Sequence, residues 1–311
     1  MINNSIKKLI YKTLIGLILC ILMLFALIRP DFYISTALQG LLLWATNLLP
    51  ALFPFFVFTK IIVEMNILKP LSRVISPIMK LFFNTGKNSG YLFFISILCG
   101  YPVGSKMIAD AYKLGQIDYV ELHRLTACTS VSGPLFIVGT VGITMLSNAT
   151  IGYIILCAQI LSIILNGILF RYYTPKAHQK HIAETVNSSN ENLLVGAIKN
   201  SIDSILLIGG LVTVFFVGIE VINSLIPLPA LTQGMIELTK GCYEIANFGY
   251  PIVISACLCS GIIAFGGFCI HAQSYYFLSS TGLTYSYFLT TKFTQMIISV
   301  MITYILCFIL L

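Results

Sequence analysis

The chain has 311 residues, 58% of them hydrophobic and only 9% charged, with a formal net charge of +7 and a mean hydropathy of +0.94. A soluble domain of this size carries about a quarter of its residues as charged groups to cover its surface, so a water-facing globule is excluded. The positive charge forms no basic block. Lys and Arg fall singly between apolar runs, the pattern of cytoplasmic loops rather than of nucleic-acid binding.

A surface that meets lipid needs every backbone group satisfied internally, by helices or by a closed barrel. The apolar runs here are long and continuous rather than alternating, which selects an all-α integral membrane protein. Of the nine cysteines, Cys20, Cys99, Cys128, Cys157 and Cys307 lie inside apolar runs, where Cys is a small hydrophobe. Cys257-x-Cys259 lacks zinc-site spacing and a second pair, so neither metal nor disulfide is expected.

In chain order, Lys7, Lys8 and Lys12 precede a first span over 9–28, and no small-residue cleavage site follows, so it reads as an uncleaved membrane helix. The apolar run 34–65 is too long for one straight crossing at about 1.5 Å per residue, with Pro50 and Pro54 placed to kink or split it. Residues 67–83 interleave Lys69, Arg73 and Lys80 with apolar positions, which suits a helix lying on the membrane surface.

The run from Ser89 to Cys99 is about half a membrane long and ends in Gly100-Tyr101-Pro102-Val103-Gly104. A second short segment stops at Gly115, a natural C-cap. Together they predict a re-entrant hairpin over 88–115. The next span begins near Asp118 and is interrupted by Ser130-Val131-Ser132-Gly133-Pro134, and another span covers 151–170. The polar stretch 171–192 is an exposed loop joining two halves; its His178-x-x-His181 pair reads as solvated rather than as a metal site.

The second half repeats this order: a span over 202–226, a short polar helix over 231–243, an apolar run over 250–265 broken at Gly266-Gly267, and a last span over 285–311. A second hairpin is therefore expected over 247–282. Phe55-Phe56-Val57 recurs as Phe215-Phe216-Val217, and Gly100 and Gly115 recur as Gly267 and Gly282. Counting crossings from an inside start leaves Lys69, Arg73, Lys80, Lys87, Lys113, Arg124, Arg171, Lys176 and Lys180 on one side, where positive charge belongs. The second half then starts from the opposite side. The reading is an inverted repeat of about six full transmembrane helices plus two hairpins. It divides into a leading helix (1–32), a first repeat (33–147), a linking helix and basic cytosolic loop (148–190), and a second repeat (191–311).

Inverted repeats with broken helices are the architecture of secondary transporters, with the site near the midplane. Hairpin tips leave N–H groups unpaired and add helix-end dipoles that hold anions, and glycine admits a ligand to bare backbone. Substrate-binding candidates at the first tip are Gly100, Tyr101, Pro102, Gly104, Ser105 and Lys106. An amine at that depth is expensive and points to function; its alternative is an i,i+4 pair with Asp110. Ser130 and Ser132 lie at the predicted unwound stretch, with Asn47 nearby. Close packing is the alternative for both serines. At the second break the candidates are Gly266, Gly267, His271 and Gln273. His271 would titrate near neutrality and couple protons, against the alternative of a packed, hydrogen-bonded residue. Asp203 and Glu220 are placed to pair with a Lys in the core. No phosphate loop, Ser-His-Asp set or paired carboxylates is visible, so no enzyme and no cofactor is expected.

Residues 90–106 (GYLFFISILCGYPVGSK), 127–139 (ACTSVSGPLFIVG) and 265–273 (FGGFCIHAQ), in that order, resemble the YlbJ family of sporulation integral membrane proteins, also called stage V sporulation protein V. That family belongs to the Gate, or nucleoside-recognition, group, and the resemblance covers about residues 30–311. It implies a role in spore formation in the outer forespore membrane, moving dipicolinic acid from the mother cell. Dipicolinate is a planar dianion, so Lys106 and the two tips are chemically sensible partners. The implied partners are the lipid bilayer and a small anionic substrate, without nucleic acid and with room for homo-oligomerisation; a Na⁺ or H⁺ coupling ion is left open. The rival readings are a Gate-type transporter of nucleosides or another solute, and a non-transporting spore-envelope assembly protein. An assembly protein has no need of broken helices.

Overall fold

The computed structural model describes residues 13, 16, 17, 20–65, 69–175 and 193–311. The beginning of the first span, the side chain of Asn47, and the loop carrying Lys176, His178, Lys180 and His181 lie outside them. Among the described residues every element is helical.

Helix α1 (Cys20–Ile28) meets α2 (Pro30–Leu43) at a bend, the pair being turned by 113° where Arg29 precedes Pro30. A π-helical turn, Trp44–Leu48, carries α2 into α3 (Leu49–Glu64), which holds Pro54 in its interior. The long run 34–65 is thus deflected rather than divided into two crossings. Next come α4 (Lys69–Phe83), α5 (Ser89–Cys99), α6 (Val103–Lys113) and α7 (Tyr119–Thr129). Helix α4 is strongly amphipathic: Met79 and Phe83 are buried while Val74 and Leu81 are exposed. A reciprocal cap starts α7, with Asp118 Oδ1 accepting from Glu121 N at 2.7 Å and Glu121 Oε2 accepting from Asp118 N at 3.1 Å. Such a box satisfies two orphan donors at once.

A π-helix over Phe136–Met145 follows, then α8 (Ala149–Leu169), α9 (Leu193–Leu225), α10 (Ala230–Ile236), α11 (Leu238–Asn247), α12 (Ile252–Phe265), α13 (Gly267–Ser279) and α14 (Tyr285–Leu310). Among the described residues four helices are long and apolar enough to cross a membrane: Ala149–Leu169, Leu193–Leu225, Ile252–Ser279 and Tyr285–Leu310; the bent pair Cys20–Ile28 and Pro30–Thr46 makes a fifth if taken as one span. Their outward faces are apolar, as at Leu165, Met301 and Phe308, which suits contact with hydrocarbon. The count of six full spans plus two hairpins is not confirmed among the described residues, where the stretch over α7 and the following π-helix is interrupted and α2 and α3 do not form one straight span.

The two hairpins are the elements that position the site. Arms α5 and α6 pack on each other, and so do α10 and α11. Helices α12 and α13 do not fold back in this way; they continue along one line as the 28-residue span Ile252–Ser279, interrupted at Gly266. The hairpin expected over 247–282 is therefore corrected. The second hairpin is α10–α11, and the glycine pair marks a break inside a crossing. A left-handed Gly266 (φ +91°) ends α12, and the chain turns little before it resumes as α13.

The hairpins enter from opposite ends of the bundle. Ser201 and Ser204 of α9 lie with the open end of α5–α6, Ile208 and Val212 lie beside both hairpin tips, and the open end of α10–α11 follows the C-terminus of α9. Two buried clusters flank this centre. One includes Phe136, Ile155, Ile208 and Ile262. The other, including Phe83, Leu92, Leu122 and Phe288, fills the end where α5–α6 opens.

Candidate functional site

Each hairpin tip meets the break of a crossing helix. At the first crossing Gly100 (φ +68°) ends α5, and Tyr101 N donates to Val131 O at 2.8 Å, inside the interrupted stretch. A Cβ built on Gly100 would lie 2.3 Å from Gly133 N. At the second, a Cβ on Gly267 (φ +65°) would lie 3.1 Å from the carbonyl oxygens of Gly234 and Ile236. These glycines let backbone pass backbone at the two crossings. The space at Gly100 is filled by the neighbouring break, so it is not open to a ligand. Gly104 likewise packs against Ser96 and Thr129, and Pro102 and Ser105 are buried beside it.

Between the crossings lies a cavity of about 40 Å³, lined by Tyr101 and Ser132 from the first, Glu237 and Thr239 from the second tip, and Gln273 nearly two turns beyond the second break. Tyr101 also donates through its hydroxyl to Ile263 O, so the first tip is bonded to the end of α12. Glu237 is 1% exposed and caps α11, accepting from Thr239 N at 3.1 Å and Lys240 N at 2.7 Å. Gln273 is fully buried; its Nε2 reaches Cys269 Sγ at 3.4 Å and its Oε1 has no donor.

The residue that sequence reasoning passed over is Lys292. Its side chain, from α14, is 0% exposed. Nζ donates to Ser130 O at 2.8 Å and to Gln295 Oε1 at 2.9 Å, and it stands 4.9 Å from the centre of the Tyr101 ring. No carboxylate of the described residues comes within ion-pair distance of it. The ammonium thus rests on the carbonyl that the broken helix leaves free at the C-terminus of α7, where the helix dipole is negative. The signal in the sequence was an amine eight residues into an apolar span, with Gln295 at i+3; such a residue faces protein, not lipid.

His271 is fully partnered. Nε2 lies 2.9 Å from Phe265 O and Nδ1 lies 3.1 Å from the Tyr285 hydroxyl, with Phe265 and Phe288 packed on the ring. It braces the break and lines neither cavity. Glu220 does pair with a lysine, Lys240, at 2.5 Å, and Lys240 also reaches Glu244 at 3.0 Å; Asp203 is exposed.

Lys106 sits elsewhere. It lines an open vestibule of about 930 Å³ among α3, α4, α5, α6 and α9, with Lys60, Lys87, Asp110, Ser201 and Ser204. Its Nζ lies 5.8 Å from the Phe277 ring centre, and no ion pair joins it to Asp110. The vestibule points at the inner cavity. On α3, Lys60 and Phe56 line the first while Leu52 lines the second, with Leu48 at the end of the preceding π-helical turn; on α9, Ser201 and Ser204 are followed by Ile208 and Val212. Steps of four residues on one helix stay on one face, about 6 Å apart. Both cavities therefore lie on a single track. Its mouth is formed by the loops that Asn88 Nδ2 ties to Gln116 O at 2.9 Å, and Arg124 binds the nearby Asn84 O at 2.6 Å.

No family model matches the sequence, and no solved structure matches it. The sporulation integral membrane protein YlbJ of Bacillus subtilis (strain 168) does: it is 24% identical over 308 residues, covering 86% of this chain and 76% of that protein. The match supports placing the chain in the YlbJ family. With that relative and the apolar spans, the protein is an integral membrane protein.

Proposed function

We propose that the protein is a membrane transporter acting in sporulation, and that it takes up a small anionic solute, dipicolinic acid in the first place, by way of the vestibule. The observation that carries this reading is the basic vestibule ending against two helix breaks. Lys60, Lys87, Lys106 and Asp110 line it, so basic side chains outnumber acidic ones among the described lining residues. Two hairpins entering from opposite ends make an inverted pair, and gating of one such unit against the other moves the access to a central site. Lys80, Lys87, Lys113 and Arg124 cluster near the vestibule mouth in the chain, which by the charge rule puts the mouth on the cytoplasmic side. In the sporulating cell that is the side of the mother cell, from which dipicolinate departs.

The experiment is uptake of labelled dipicolinate into vesicles holding the purified chain, with nucleosides as competitors. Saturable uptake unaffected by nucleosides supports the reading. Uptake of nucleosides instead supports the nucleoside alternative, and no uptake of either supports an assembly role. Lys106→Met keeps the side-chain length and removes the charge. The amine stands in an open vestibule where a single charge contact is worth about 1 kcal/mol, so KM should rise about fivefold with membrane levels unchanged. Lys106→Arg should retain partial activity. Normal KM in Lys106→Met would remove the vestibule charge from substrate recognition.

A further inference from the structure

We infer that the inner cavity is a binding site for one Na⁺-sized monovalent cation, held by Glu237 and Gln273 with the hydroxyls of Ser132 and Thr239. The polar side chains lining this cavity from the two crossings offer oxygen: a carboxylate, an amide and hydroxyls. Gln273 Oε1 is a buried acceptor with no donor. Such an atom costs about 1–3 kcal/mol unless something positive or protic meets it. Glu237 accepts from Thr239 N and Lys240 N, and the Thr239 hydroxyl also bonds its carboxylate. Each carboxylate oxygen keeps further lone-pair capacity.

Size selects the occupant. A cavity of about 40 Å³ holds one ion or one or two waters, and a planar dianion does not fit it. One carboxylate balances one positive charge, and oxygen ligands suit a hard cation. The other crossing supports the same conclusion by its contrast. There the free carbonyl of a broken helix is already met by a cation, the Lys292 ammonium at 2.8 Å from Ser130 O. That cation is attached to the chain. Among the described residues no ammonium is bonded into the second crossing in this way: Lys240, its nearest lysine in sequence, points its Nζ to Glu220 and Glu244. A cation from solution would complete the pair of crossings.

The inference does not depend on which solute is carried, and its test measures binding rather than transport. Purified full-length protein in detergent is unfolded thermally in NaCl, KCl and choline chloride at equal ionic strength, and ²²Na⁺ binding is measured in parallel. The expected result is a saturable stabilisation by Na⁺ over choline, with KCl weaker. Ser132→Ala should leave the melting temperature in choline unchanged and raise the Na⁺ midpoint about tenfold or more, the usual scale for losing a group at a metal site. Gln273→Leu should abolish the Na⁺ effect. If Gln273→Leu does not fold, Ser132→Ala alone decides. Equal melting in all three salts with no ²²Na⁺ bound would overturn the inference. So would an unchanged Na⁺ midpoint in Ser132→Ala.

Discussion

Gly100→Val is expected to prevent recovery of folded protein, with a loss above about 4 kcal/mol. The added Cβ would stand 2.3 Å from Gly133 N and 2.9 Å from both Gly133 Cα and Ser132 C. These are backbone atoms, and no rotamer change removes them. The left-handed φ of +68° adds strain of about 1–2 kcal/mol for any side chain. Losses of this size come from a short set of causes, of which a forced collision in a packed core is one. Gly115→Ala is the control. Its φ is nearly the same, +67°, but nothing lies within 4 Å of its Cβ, so the cost should be strain alone, about 1 kcal/mol. Comparing monodispersity and melting of the two variants separates collision from conformation. If Gly100→Val folds as well as Gly115→Ala, the tip does not cross the break as closely as described.

Lys292→Met is expected to reduce uptake at least a hundredfold while the stability changes by no more than about 2 kcal/mol. Burying the ammonium costs several kcal/mol. Two hydrogen bonds to a charged donor return about 1.5–3 kcal/mol each, and the Tyr101 face returns up to about 2. The sum lies near zero. Met fills the stem and removes the dehydration cost, while Ser130 O and Gln295 Oε1 each lose a donor at about 1–3 kcal/mol. On the proposed transport function, uptake depends on more than this balance, because Lys292 joins α14, the first break and the first tip through three contacts. A shift of about 1 Å in a site element can cost a hundredfold. The measurements are uptake at matched protein levels and the melting temperature of the purified variant. Uptake at the native rate would sink the assignment, and a variant that unfolds would make the lysine a structural residue alone.

Much of the first crossing was legible in the sequence. Half-length helices around Gly100-Tyr101-Pro102 and the Ser130–Pro134 interruption announce themselves through residues that cannot continue a helix. The second tip does not. It turns at Ile236-Glu237-Leu238, without glycine or proline at the turn, and the helix restarts on a glutamate cap. The conspicuous Gly266-Gly267 drew the hairpin to itself, although a left-handed glycine can also interrupt a helix that then runs on. Lys292 escaped because its neighbours Thr290, Thr291 and Thr294 make an ordinary-looking span. Its partners, Ser130 O and the Tyr101 ring, are about 160 and 190 positions away in the chain. Lys106 was found because it sits beside a visible break, yet the fold places it at the vestibule wall.

The vestibule also changes where the membrane voltage falls. An open, wet hollow of about 930 Å³ reaching to Phe56 and Val103 carries a high dielectric deep into the protein. Low-dielectric walls concentrate field lines in what remains. The potential therefore drops mainly across the apolar layer beyond the tips, where Ile155, Cys242, Ala256 and Ile262 pack. A bare dianion pushed through that layer would move two charges through most of the drop, about 4.6 kcal/mol per 100 mV. Accompanied by one monovalent cation it would move one, about half as much. The voltage dependence of uptake in Na⁺ and in choline then counts the charges that travel together.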